Sequence, residues 1–214
     1  MIGTPYGLLS YDRGHGFGLM YARNQGLVGD SVNGIAMVTS TTGVTTLFVS
    51  HSGEGPTRPG FSEVIPIQQQ GLGPNHFGYI VQDTTLVDIL PSNKITALAS
   101  DWWGVHIATD AEPLMHWNAA ATEMEQGSSR SGFASWPIQH MHSDGHNIIA
   151  ISNLGANRID VTGSLHTSSS LIYYAGLSRG IITSNGVYIV GQDGLHVWSG
   201  YPSFIEKERS YMRR

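Results

Sequence analysis

Hydrophobic and polar positions alternate with a period of two through most of this chain, in short runs broken by glycine, asparagine and aspartate. That period puts successive side chains on opposite faces of a strand, so the runs predict short β-strands and the breaks predict turns. The most regular stretch is Arg179 to Gly200, RGIITSNGVYIVGQDGLHVWSG. Val187 and Ile189 precede Gln192-Asp193-Gly194, and Leu195 and Val197 follow it. Asn185-Gly186 and Asp193-Gly194 are dipeptides of two-residue hairpin turns, whose central residues need positive φ. Ile95 to Trp117 and Ile138 to Val161 have the same design, and the apolar centres Ile107, Ile149 and Ile189 stand 42 and 40 positions apart. A spacing of about 40 to 45 residues with four strands per unit marks a propeller blade, so the chain is expected to be all-β, a β-propeller-like array of about five four-stranded blades.

The three repeats occupy 94–117, 138–161 and 179–198 within a region 94–202, and residues 1–93 form a less regular β region with partial blades. In that front half, Leu19 to Ala22 reads as a short strand. Gly34 to Ser40 and Val44 to His51 read as a hairpin, because β-branched residues fill both arms. Phe61 to Ile67 and Phe77 to Leu90 resume strand character after the loop at 53–60, where Pro56 and Pro59 exclude a central ladder. Two stretches read as helices. Asn118 caps a short one from Ala119 to Gln126. Ser203, with Glu206 three residues on, opens a C-terminal helical tail over 203–214. One side of that tail gathers Phe204, Ile205, Tyr211 and Met212, an apolar surface suited to a partner subunit.

Composition narrows the function. Charged residues make up 13% of the chain, glycines number 27 and the net charge is −5, with Lys94 and Lys207 the two lysines. That balance fits a turn-rich β protein and argues against a broadly basic nucleic-acid groove. Hydrophobic residues at 40% are enough for a core. There is no cysteine, which removes disulfides, thiolate catalysis and cysteine-ligated zinc. The N-terminus has no basic segment followed by an apolar run, and no run is long enough to span a bilayer as a helix. The expectation is a protein that is not secreted by a signal peptide.

Candidate chemistry is sparse, and no catalytic residue or cofactor is expected. His140, His142 and His146, with Asp144, form the most metal-like stretch. Alternate histidines on a strand share a face, and a turn brings Asp144 or His146 round. The stretch resembles the HxHxDH signature of the metallo-β-lactamase family, with Gly145 inserted before the last histidine. The competing reading is that Ser143-Asp144-Gly145 fills the turn slot of Asp101 to Gly104, and the histidines merely flank it. Trp102, Trp103 and Tyr201 are candidates for a ligand or glycan platform, with blade packing as the alternative for the tryptophans. His51-Ser52 lacks the elbow of a serine nucleophile.

The run Arg179 to Gly200 resembles the blade consensus of propeller-bearing tail proteins in short-tailed bacteriophages, the nozzle or plug components also called packaged-DNA stabilisation proteins. Ser178-Arg179, Val187 to Gly194 and Gly200 to Ile205 carry the resemblance; the pattern at Ile95 to Trp117 is shared with propeller repeats generally. It implies a structural virion protein, assembled in the host cytoplasm, whose partners are other subunits, in a homo-oligomeric ring. It implies no catalytic residues. The alternative is a lectin-like, glycan-binding propeller.

Overall fold

The structure, a computed structural model, describes residues 1–14, 16–21, 27, 29, 31–39, 43, 45–51, 60–68, 77–82, 90–92, 94–111, 114–118, 123–126, 133, 136–161, 167–173, 175–199 and 208–211. Among the described residues every regular element is a β-strand. The strands form five small antiparallel sheets, in each of which neighbours in sequence are neighbours in space. The described chain is all-β, as its alternation predicts. It divides into two compact units, Met1–Ile95 and Thr96–Arg214.

In the first unit β1 (Ile2–Thr4), β2 (Gly7–Asp12) and β3 (Gly16–Tyr21) make a three-stranded sheet. The second sheet holds β4 (Val32–Thr39), β5 (Thr45–His51), β6 (Gly60–Gln68) and β7 (Phe77–Gln82). Leu8 of the first sheet packs with Val32, Leu47, Val49 and Val64 of the second. The approach is close: a Cβ on Gly3, which pairs with Leu8, would lie 2.6 Å from Val32 Cγ1.

The third sheet is β8 (Ile95–Ser100), β9 (Gly104–Thr109), β10 (Met115–Asn118) and β11 (Glu123–Gln126). The fourth is β12 (Ile138–Ser143), β13 (Asn147–Ser152), β14 (Gly155–Asp160) and β15 (Thr167–Tyr173). The fifth is β16 (Leu177–Thr183), β17 (Gly186–Gly191), β18 (Gly194–Ser199) and β19 (Glu208–Tyr211). Strand β13 shows how these three pack. Ile148 and Ala150 join Ala97, Ala99 and Ala108 of the third sheet in one core. Ile149 and Ile151 join Ile182, Val187, Ile189 and Trp198 of the fifth sheet in another. Alternate side chains of one strand thus serve two cores, which is why β13 is buried along its whole length and reads as a continuous apolar run. At about 1.5–3 kcal/mol for each large apolar side chain taken from water, these contacts hold the stack together.

The described residues of the two predicted helices are strands. Glu123–Gln126 pairs with β10, and Glu208–Tyr211 pairs with β18 with Tyr211 opposite Leu195. A short helix cannot repay its nucleation, whereas each of these segments finds an open sheet edge to bond to. Of the four residues assigned to the apolar side of the C-terminal tail, Tyr211 lies in β19, and Phe204, Ile205 and Met212 lie outside the described residues.

Turn chemistry sets the repeat frame. Asp101 Oδ1 accepts from Trp103 N and Gly104 N, both at 2.7 Å. Asp144 Oδ1 accepts from His146 N at 2.9 Å and Asn147 N at 2.8 Å in the same arrangement. In the fifth sheet Thr183 Oγ1 takes that place, accepting from Asn185 N at 3.2 Å. Aligned on these residues, Ile107 corresponds to Ala150 and Ile189, and Ile149 sits one step away on the opposite face. The expected equivalence of Ile107, Ile149 and Ile189 therefore holds for the strand but not for the face. The glycines are also one step from their predicted role: Gly186 and Gly194 each open a strand, with φ of 148° and 136°, where a side chain would be strained.

Candidate functional site

The densest polar cluster lies inside the third sheet. His106 and His116 are paired directly across the β9–β10 ladder, so both rings lie on one face, 4.6 Å apart and tilted by 41°. Asp101 reaches them from the β8–β9 turn. With Oδ1 engaged by two backbone N–H groups, its Oδ2 faces His106 Nε2 at 2.8 Å and His116 Nε2 at 3.4 Å. All three residues are buried. Burial by itself raises the Asp101 pKa, but the hydrogen bonds and charge of the two imidazoles outweigh it and hold the carboxyl well below the usual carboxylate range. Gly104 makes room for the arrangement, since a Cβ there would lie 1.7 Å from the Trp117 carbonyl oxygen and 3.1 Å from His116 Nε2.

One oxygen and two nitrogens within 4.8 Å of one another are a donor set for a divalent cation. Ligands bound tetrahedrally about 2.0–2.1 Å from zinc stand about 3.3 Å apart. The 2.8 Å contact is shorter and is a hydrogen bond. As placed, the cluster locks the β8–β9 turn onto the middle of its sheet.

The other described histidines act similarly. His140 and His142 share a face of β12, as their spacing predicts, but they point at the outer edge of β16. His140 Nε2 lies 2.8 Å from the Gly180 carbonyl oxygen, and His142 Nδ1 accepts the Ile182 N–H at 3.3 Å. The pair thus satisfies backbone groups that an edge strand leaves open, and ties the fourth sheet to the fifth. Burial lowers the pKa of both; at His140 the Gly180 bond opposes this, and at His142 the charge of Asp144 does. His146 is exposed at the turn, with its ring edge-on to Trp102 at 5.3 Å. His51 Nε2 and Ser62 Oγ lie 2.8 Å apart, and both residues are fully buried. His196 Nε2 bonds Asp193 Oδ1 at 2.8 Å and its ring stacks on Trp198.

Trp102 and Trp103 are 66% and 60% exposed, side by side at the β8–β9 turn. They differ in role: Trp102 lies against Gly145 of the next sheet, where an added Cβ would stand 3.2 Å from its Nε1. Tyr201, the third platform candidate, lies outside the described residues. Sequence reasoning missed the Asp101–His106–His116 cluster, although a signal was present: His106 interrupts the otherwise apolar strand Val105 to Ala108. A histidine there needs a buried partner.

No protein-family model matches the chain, and no curated protein matches it. Among the described residues there is no helix long and apolar enough to cross a membrane.

Proposed function

We propose that this chain is a non-enzymatic structural component of a larger protein assembly, its sheets ordered as blades of a propeller-like array. The observation that carries the reading is the contrast between its polar and apolar groups. The titratable clusters of Asp101–His106–His116, His51–Ser62 and His140–His142 are spent on holding sheets in place. Large apolar side chains, among them Ile181, Val190 and Leu195 of the fifth sheet, are left 41–50% exposed. Exposed apolar surface of that kind marks contact with other macromolecules. The resemblance of Arg179 to Gly200 to tail proteins of short-tailed bacteriophages suggests a virion tail as the assembly, put together in the host cytoplasm. The test is electron microscopy of the native particle. Density for the chain at fixed stoichiometry is expected, and a free, unassembled protein in its source refutes the reading.

A second reading has one observation in its favour, the adjacent exposed indoles of Trp102 and Trp103, which offer flat apolar faces to a sugar ring. Glycan-array binding that is lost on Trp103→Ala with the fold intact supports it over the first.

A further inference from the structure

We infer that the outward face of the fifth sheet is a docking face for the first sheet of a second copy of this chain, an interaction that rests on the reading of the protein as an assembly component. The argument starts from the contact between the fourth and fifth sheets. On its side facing the fifth sheet, the fourth sheet presents Ile149, Ile151 and Ala156, all buried. The turn alignment makes Tyr188, Val190 and Leu195 the corresponding residues one sheet later, and the registers agree: Ile151 pairs with Ala156, and Val190 pairs with Leu195. Yet Val190 is 50% exposed and Leu195 41%, and Ile181, which pairs with Tyr188 on the same face, is 47% exposed. The fifth sheet therefore carries the side chains that receive a following sheet.

The first sheet carries the counterpart. Its three strands correspond to the second, third and fourth strands of a complete sheet, and the facing of Leu8 decides this. The β1–β2 turn has the hydroxyl lock, Thr4 Oγ1 to Gly7 O at 2.9 Å, that is found both at the β13–β14 turn, Ser152 Oγ to Gly155 O at 3.2 Å, and at the β16–β17 turn, Thr183 Oγ1 to Gly186 O at 3.2 Å. Strand β1 contacts β4, as both β12 and β13 contact β16. Leu8, which follows the turn glycine, packs on the following sheet as Ala156 does, whereas Val187, which follows the glycine of the β16–β17 turn, packs on the preceding sheet. In this frame Ile2 and Leu9, which pair, lie on the opposite face, the one that meets a preceding sheet. Tyr11 lies two residues beyond Leu9 and pairs with Phe17, their rings 5.1 Å apart. Ile2 is 43% exposed, Tyr11 51% and Phe17 67%. One chain thus offers a face that receives a following sheet and a face that meets a preceding one. Two different surfaces that fit each other make a head-to-tail contact, which closes into a ring or runs on.

A footprint of three or four strands, about 15–20 Å on a side, is small for a stable dimer, so association is expected to be weak and concentration-dependent. The test is light scattering on size-exclusion fractions of the full chain, from about 1 µM to about 1 mM, the range over which so small an interface titrates. The wild type is expected to grow beyond a dimer as concentration rises. Val190→Asp blocks one face and Phe17→Asp the other, and each variant alone should be monomeric. An equimolar mixture should give a dimer and nothing larger, because one intact face of each kind remains. Leu195→Lys serves as a second block of the fifth sheet, and circular dichroism with thermal unfolding confirms that each variant folds. A wild type monomeric throughout overturns the inference, as does a Phe17→Asp variant that still dimerises. If microscopy still finds the chain at fixed stoichiometry in a particle, the assembly reading survives that failure.

Discussion

Replacing Asp101 is the sharpest probe of the buried lock in the third sheet. Three donors aim at its carboxylate: Trp103 N and Gly104 N at 2.7 Å, and His106 Nε2 at 2.8 Å. Asp101→Ala removes the acceptor from all three. A buried donor left without a partner costs about 1–3 kcal/mol. Gly104 and His106 are buried, whereas Trp103 is exposed and its N–H can turn to water. The expected loss is therefore about 2–6 kcal/mol, from the two buried donors with His106 towards the upper end. Asp101→Asn keeps Oδ1 for the two backbone donors and presents an NH2 to His106, which can accept it by carrying its own proton on Nδ1. Its cost should be nearer 1 kcal/mol, mainly the charge assistance of one hydrogen bond. Acidity separates the variants further. The folded-state pKa of Asp101 is depressed, so the carboxylate contributes stability that is full above its ordinary value of 3.8 and is lost as pH falls through the folded value. The gap between wild type and Asp101→Asn should thus narrow on acidification below about pH 4. The assay is urea unfolding at neutral and acidic pH, with a lowered midpoint and an unchanged slope expected. Asp101→Ala within about 0.5 kcal/mol of wild type refutes the lock, as does an Asp101→Asn deficit that does not change with pH.

His140→Ala and His142→Ala should each cost about 1 kcal/mol at pH 8, for one inter-sheet hydrogen bond apiece. Because burial lowers both pKa values from 6.5, their stability is present above that value and lost as pH falls below it; the double variant should flatten this arm of a thermal-melt profile between pH 8 and pH 5. Gly180→Ala places a Cβ 3.0 Å from Ile151 Cδ1, Ile189 Cγ1 and the Tyr188 carbonyl oxygen, and should cost about 1–3 kcal/mol in denaturant unfolding by wedging the fourth and fifth sheets apart. Ile151→Ala, which empties a fully buried site in the same core, should cost about 2–5 kcal/mol by the same measurement. Trp103→Ala should change stability by less than about 0.5 kcal/mol, and Trp102→Ala by more, because only Trp102 lies against the neighbouring turn.

Local signals in the sequence established the all-β class and many of the strands. Alternation and turn residues are local signals, and each four-stranded sheet is a meander that short connections can make, so hairpins such as β4–β5 and β17–β18 were legible from Thr41 to Gly43 and from Gln192 to Gly194. Faces were less legible. Ile148 to Ile151 is apolar at every position, so nothing local says which side chain meets which neighbour, and the count of 42 and 40 fell one residue from the frame that Asp101, Asp144 and Thr183 fix. Tertiary structure alone decided that Glu123–Gln126 and Glu208–Tyr211 are strands, because an open sheet edge outweighs a helical preference over so few residues. It also decided the fate of the histidines. His140 and His142 have the spacing of metal ligands, and their spacing is silent about the edge of β16 some 40 residues on. Asp101, His106 and His116 come together from one turn and two strands, a convergence that exists only once the ladder is paired.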